Sequence, residues 1–311
     1  NGLSGRYFQG IGSYKTFDEF GQINIGNNNI QSKTRLYHSY SKNNYQFINK
    51  HIPLKDTADV DINHPTVENK NSEYHRYGLQ QELYFRPSPN FIGSAKLWYQ
   101  DAARSLPTVL SYEGSDSSAN RSNHQHDQTI KGVFQLAWYQ DKLKANWVSG
   151  IDYQQLDYNI SIKIPGKSDI QKPVNSGSNM TSSYNRLKLD YKTSDKLSFS
   201  FISDANYFDI TTYDSTIHTG YDENRAEYSF FTGFYAHPFE KVKLSTEFRK
   251  DIIPEIRTPL IYNFGISYKP YNNKDLIVKA GIVRNFHNPA LNDLYWQPGG
   301  NPDLLPEKGH T

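Results

Sequence analysis

Apolar and polar residues alternate with a period of two along most of this chain. Val242, Leu244, Thr246 and Phe248 are interleaved with Lys241, Lys243, Ser245, Glu247 and Arg249. Tyr262, Phe264, Ile266 and Tyr268 are interleaved with Asn263, Gly265, Ser267 and Lys269. The same rhythm runs through Ile130, Gly132, Phe134, Leu136 and Trp138, through Leu79, Gln81, Leu83 and Phe85, and through Leu276, Val278, Ala280 and Ile282. Successive side chains of a strand point to opposite faces, so each stretch predicts a strand with one apolar and one polar face. No segment keeps a 3.6-residue period for three turns, so no helix of consequence is predicted.

The pattern predicts about thirteen strands, at roughly 4–14, 17–26, 31–48, 74–86, 91–103, 129–139, 143–160, 183–192, 196–212, 226–238, 241–251, 260–269 and 275–286. Many run past about ten residues, where about five or six is usual. Their connections alternate in length. Residues 26–29, 87–90, 140–142, 193–195, 239–240 and 270–274 form tight links, whereas 49–73, 104–128, 161–182 and 213–225 read as long polar loops. Tight turns at one end of a sheet and long loops at the other are the mark of a transmembrane β-barrel. A Lys or Arg on the lipid face at mid-membrane costs about 2–4 kcal/mol. Lys96, Lys131, Lys188, Lys243, Glu247 and Lys279 all fall in the polar column. Trp98, Tyr99, Trp138, Tyr139, Tyr191 and Tyr268 lie near strand ends, where interfacial aromatic girdles sit. A soluble half-buried sheet also alternates, but it would have shorter strands and loops of similar length at both ends.

Composition sharpens this picture. Hydrophobic residues make up 36% and mean hydropathy is -0.77, low for a soluble globular domain and natural for a barrel with a wet interior. Aromatic residues at 14% exclude a disordered chain. A net charge of +2 offers no electrostatic case for nucleic acid. The chain has no cysteine, which excludes a disulfide framework and Cys-bearing metal sites. No 18-residue apolar run predicts a membrane helix. The opening residues NGLSGRYFQGIG already read as strand, which leads us to expect a cut end there.

Candidate sites are sparse. Asp56, Asp59 and Asp61, with Asn63 nearby, have the density of a calcium loop, but their spacing does not match an EF-hand and a solvated acidic loop is the commoner origin. His124 and His126 stand two apart beside Asp127, a spacing that puts both imidazoles on one face of an extended chain, where they could meet a metal or haem; a loop that merely contains histidine is the plainer reading. Tyr112, Tyr213 and Tyr221 fall in the predicted outer loops and could stack on a planar ligand. No nucleophile elbow, zinc-protease or P-loop pattern occurs, so no enzyme is predicted.

One segment carries a family resemblance. Asn288-Pro289-Ala290-Leu291-Asn292-Asp293-Leu294-Tyr295-Trp296, followed by Gly299-Gly300-Asn301-Pro302-Asp303-Leu304-Leu305-Pro306-Glu307, closely resembles a signature of TonB-dependent outer-membrane receptors. The second half fits well; the start, Phe286 to Ala290, lacks the usual Arg and Thr. The prolines of the segment cannot donate to a ladder, so it reads as a crossing between strands, with Asn301, Pro302, Asp303, Pro306 and Glu307 in a structural role. Gly299-Gly300 permits a tight reversal, and Glu307 opens the next strand. The resemblance implies an all-β fold, part of a large antiparallel barrel in the outer membrane of a Gram-negative bacterium. About thirteen of about twenty-two strands would lie in residues 1–311, with the plug domain and the C-terminal strands absent from this chain. It implies TonB, the receptor's own plug, the lipid bilayer and a small-molecule nutrient as partners, and admits a surface lipoprotein. Active uptake of a bulky, scarce nutrient is the implied function. The wording of the segment looks most like cobalamin receptors, with ferric siderophore or haem receptors as the alternative. A soluble β-sheet module that holds carbohydrate on exposed aromatics is the reading from another class.

Overall fold

The structure is a computed structural model that describes residues 2–48, 66–107, 121–164, 166, 169–254, 256–271, 275–297 and 299–311. One antiparallel sheet of 14 strands dominates. Its strands are β1 (Gly2–Gly12), β2 (Thr16–Gly26), β3 (Ile30–Ser41), β6 (Tyr74–Ser88), β7 (Phe91–Ser105), β8 (Arg121–Tyr139), β9 (Leu143–Lys163), β10 (Ile170–Ser194), β11 (Leu197–Asp214), β12 (Thr219–Phe239), β13 (Val242–Ile252), β14 (Leu260–Tyr268), β15 (Val278–His287) and β16 (Glu307–His310). Each pairs with its neighbours in chain order, a pure meander. The link between β3 and β6 carries a small ribbon of β4 (Gln46–Ile48) and β5 (Thr66–Glu68). The one described helix, α1 (Leu291–Tyr295), lies between β15 and β16.

The register separates the faces as the sequence pattern predicts. Residues opposite one another in a ladder share a face. Glu247 pairs with Gly233 and Asn263, Lys131 with Trp98 and Asp152, and Lys188 with Asn146 and Ile202. Followed strand by strand, these pairs place Lys96, Lys131, Lys188, Lys243, Glu247 and Lys279 on one face. The opposite face carries Leu36, Leu79, Leu97, Phe134, Trp147, Phe201, Phe230 and Phe264. Among the described residues the sheet is a single layer with no second sheet packed against it. Among the described residues the buried hydrophobic side chains are Ala137, Ile160, Ile253, Leu291 and Leu294, whereas Leu36, Leu97, Phe201, Phe230 and Ile266 are exposed. The apolar columns are therefore not the interior of a sandwich.

Polar groups that fall on the apolar face satisfy one another. Thr34 Oγ1 donates to Gln81 Oε1 at 2.6 Å, and Gln81 Nε2 donates to Ser32 Oγ at 2.9 Å. Hydrocarbon supplies no hydrogen bonds, so such groups must pair within the protein.

Two of the expected long loops are largely strand. β10 starts at Ile170 and β12 at Thr219, so the predicted links 161–182 and 213–225 shrink to residues 164–169 and 215–218. The sequence between 170 and 182 is polar and holds Pro173 and Gly177, so it lacks the two-faced alternation. Pairing prevails there because both faces of the hairpin meet water and the backbone ladder alone continues it. Pro173 sits where the β9–β10 register slips between Gln171 and Val174, a bulge that needs no amide from proline. At about 3.3 Å per residue the 25-residue β10 covers about 80 Å, far more than the about 30 Å hydrocarbon thickness.

Candidate functional site

The polar face is a wall of charge pairs. Arg35 Nη1 meets Glu82 at 2.8 Å, Lys131 Nζ meets Asp152 at 3.2 Å, Arg186 Nε meets Asp204 at 2.6 Å and Arg249 Nε meets Asp251 at 2.7 Å. Glu82 also accepts from Gln80 Nε2 at 2.7 Å and Tyr84 Oη at 2.8 Å. Arg35, Lys131, Arg186 and Arg249 thus each find an acid on their own strand or an adjacent one, while Lys33 and Lys96 lie over the Tyr84 ring, 5.3 Å and 5.6 Å from its centroid.

An apolar island interrupts this wall on the tall hairpins. Met180 lies opposite Ile210, Leu156 lies opposite Ser178, and Phe208 lies opposite Arg225. Tyr184 meets Phe208 edge-on with ring centroids 5.7 Å apart. These residues share the face of Arg186 and Asp204, so they look inward rather than toward lipid. Sequence reasoning put Leu156, Tyr184, Phe208 and Ile210 in strands but Met180 in the 161–182 link, so it did not bring them together on one face. The signal was Met180 between Ser178 and Ser182, and Phe208 and Ile210 between Asn206 and Thr212, on the face that carries Arg186 and Asp204.

The segment 288–306 caps the same face. α1 buries Leu291 and Leu294, and Arg225 Nη1 donates to the carbonyl of Pro289 at 2.9 Å. Asp293 Oδ2 accepts the amide of Ala290 at 3.2 Å, and the amide of Asn301 donates to the carbonyl of Asp293 at 2.9 Å. Asn301 Oδ1 accepts the amide of Asp303 at 3.0 Å, the short-range bond expected of that side chain. Gly299 has φ +124°, and a Cβ at Gly300 would stand 2.6 Å from the Trp296 carbonyl, so the reversal requires glycine at both positions. Glu307 then opens β16, and Pro302 and Pro306 lie in the crossing before it. Beneath the segment is a recess of about 460 Å³ lined by Arg186, Asp204, Arg225, Glu227, Arg249 and Asn288. Both amide atoms of Asn288 are buried without a partner.

Among the described residues, the expected site residues Tyr213, Tyr221, His124 and His126 do not gather in one place. Tyr221 faces inward against Tyr295, with ring centroids 6.1 Å apart, and its hydroxyl reaches Asn292 Oδ1 at 3.4 Å. Burial pushes its phenol above the usual range. Tyr213 lies on the opposite, outward face, over Gly177, and its hydroxyl donates to Asp157 Oδ1 at 3.1 Å. Burial and then that carboxylate raise its phenol as well. His124 and His126 share one face, but each has its own partner: Ser105 Oγ at 3.2 Å from His124 Nδ1, and both Asp101 oxygens at 3.1 Å from His126 Nε2. Tyr112, Asp56, Asp59, Asp61 and Asn63 lie outside the described residues. Among the described residues no three His, Asp or Glu side chains converge as metal ligands.

Comparison with known proteins places this architecture. The model of the family described as TonB dependent receptor-like, beta-barrel matches residues 8–311. The chain belongs to that family. A search of curated protein sequences finds no significant relative. Among solved structures, the copper transporter OprC aligns over 99% of this chain and 50% of its own, with 13% identity and a TM-score of 0.64. FpvA of P. aeruginosa bound to a ferric pyoverdine aligns over 99% of this chain and 45% of its own, with 11% identity and a TM-score of 0.64. The ferric yersiniabactin uptake receptor FyuA of Yersinia pestis aligns over 98% and 50%, with 10% identity and a TM-score of 0.61. The chain thus spans half or less of these structures, and at these identities they show the fold alone. This TonB-dependent receptor barrel belongs in the outer membrane of a Gram-negative bacterium. Its apolar face is the lipid face, and its ion-paired face is the lumen wall.

Proposed function

We propose that this receptor takes up a bulky, scarce nutrient across the outer membrane, driven by TonB acting on a plug held within the lumen. The family match over residues 8–311 carries the reading. The ion-paired inner wall supports it, since a lumen lined with fixed, mutually neutralised charges suits a hydrated plug and a polar path. Members of this family are transporters, and no catalytic role is proposed for any residue here.

We place the ligand on the inner face of the tall hairpins, at Leu156, Met180, Tyr184, Phe208 and Ile210, with Tyr221 and the Asn288 recess at the rim. An apolar island ringed by Arg225, Arg186 and Asp152 suits an amphipathic ligand with a rigid apolar face and polar substituents. A corrinoid fits that description, and the wording of Leu291–Asp303 favours it. The structural neighbours include a copper transporter, a peptide importer (RagAB) and ferric siderophore receptors, so they support uptake in general and favour neither a corrinoid nor a siderophore. Calcium at Asp56, Asp59 and Asp61, and a surface lipoprotein over the mouth, are further proposals, the first resting on the sequence and the second on the resemblance.

The test is binding and uptake together. Titration of the complete receptor in detergent with cobalamin, ferric siderophores and haem should give one ligand of high affinity. Uptake of that ligand should vanish in cells lacking TonB. Phe208→Ala and Met180→Ala should each weaken binding about tenfold or more, the worth of a lost apolar contact of about 1–3 kcal/mol. Uptake that persists without TonB would overturn the transport reading. Unchanged affinity in both variants would overturn the placement of the ligand.

A further inference from the structure

Two histidines that sequence spacing does not connect meet on the lipid side of the wall. They occur in a repeated Tyr-His-x-Tyr pattern: Tyr37-His38-Ser39-Tyr40 on β3 and Tyr74-His75-Arg76-Tyr77 on β6. The strands are paired, with His38 opposite Tyr77 and Tyr40 opposite His75, so the two imidazoles are diagonal neighbours on the outward face. Their Nε2 atoms are 2.9 Å apart, and the rings lie at 77° with centroids 4.9 Å apart. Behind His38, Glu19 Oε2 stands 3.2 Å from Nδ1, from the facing position on β2.

This arrangement has the chemistry of a metal clip. A carboxylate is an acceptor only, so the Glu19 contact puts the His38 proton on Nδ1 and leaves a lone pair on Nε2. In the 2.9 Å contact His75 Nε2 therefore donates. When His75 carries its proton on Nδ1 instead, a change that water catalyses, two imidazole lone pairs face a single point. Carboxylate, histidine and metal in line are the usual means of orienting and strengthening an imidazole ligand. Zinc holds nitrogen at about 2.0–2.1 Å, which sets two ligating nitrogens about 3.3 Å apart in a tetrahedron. The rings need to part by only about 0.4 Å to reach that spacing.

We propose that His38 Nε2 and His75 Nε2 bind one divalent transition-metal ion of imidazole preference, with Zn²⁺ or Cu²⁺ chosen over Ca²⁺ or Mg²⁺ by ligand type. Glu19 is a positioning residue, which orients His38 without touching the metal. His38 stands two residues beyond Leu36 and His75 four beyond Leu79, the lipid-facing pair, which puts the site at the headgroup edge of the apolar band. The remaining coordination positions open outward, away from the lumen, so the site is independent of the transport path.

The experiment is isothermal titration of the complete receptor in detergent with ZnCl₂ alone, repeated with CaCl₂. Folding of every variant is checked by heat-modifiable electrophoretic mobility. Wild type should bind Zn²⁺ at this site with micromolar affinity and ignore Ca²⁺. His38→Ala and His75→Ala should each weaken that binding at least tenfold, as should the milder His38→Gln and His75→Gln. Glu19→Gln should weaken it less than either histidine change. A His124→Ala/His126→Ala receptor should bind as wild type does. Loss of binding confined to the His38 and His75 variants supports the site. Zn²⁺ affinity unchanged in the His38→Gln/His75→Gln double variant, or no Zn²⁺ binding by wild type, overturns it.

Discussion

Gln81 shows how a single residue reconciles polarity with lipid. It lies in the apolar column between Leu79 and Leu83, where a free amide would cost several kcal/mol. Its two bonds, to Thr34 and Ser32, make it part of a closed trio. Thr34→Val should therefore destabilise the barrel by about 1–3 kcal/mol, because it strands an acceptor that faces hydrocarbon rather than merely deleting a bond. The Thr34→Val/Gln81→Leu double variant should recover most of the loss, since replacing both partners by apolar groups is nearly neutral. Denaturant unfolding in lipid vesicles reads both values. At this scale the chain displays some neighbours and hides others. His124 and His126 were conspicuous as neighbours in the chain, and the structure gives each its own hydrogen-bond partner. His38 and His75 are 37 residues apart in the chain and meet through strand pairing. The repeat of Tyr-His-x-Tyr was the one signal that could have joined them.

At the scale of the strand, the face rule decides what each position tolerates. In β8 the outward column runs from Ile130 to Trp138, about 26 Å of strand, which a tilt of about 40° shortens to about 20 Å. Rings at its ends extend it to the about 25 Å apolar band of such barrels. Phe134 sits in the middle of that band, edge-on to Trp147 with centroids 5.7 Å apart. Phe134→Arg should cost about 2–4 kcal/mol in vesicle refolding, whereas Lys131→Arg on the inner column of the same strand should cost little. Equal costs would mean that the two faces have been exchanged. The thirteen strands were legible because lipid on one side and water on the other write a period of two into the sequence. The upper halves of β10 and β12 were not legible, because water on both sides writes no period. There the partner strand, reached only after a turn, decides the conformation.

At the scale of the whole molecule, the sheet leaves β1 and β16 each paired on one side only. An unpaired edge in hydrocarbon exposes a row of amides and carbonyls that nothing can satisfy. A polypeptide limited to residues 1–311 should therefore fail to form a heat-resistant barrel in vesicles, while the complete receptor does so; electrophoresis of unheated samples distinguishes them. The sequence by itself determined the period, the two faces and the signature segment, because each is a local response of side chains to lipid, water or a turn. It also carried enough of that signature to name the family. Only the tertiary structure decided which distant residues share a surface. The apolar island on the inner wall and the paired imidazoles of His38 and His75 both arise from register. Register is set by how whole strands align through turns and partners, and no single strand contains that information.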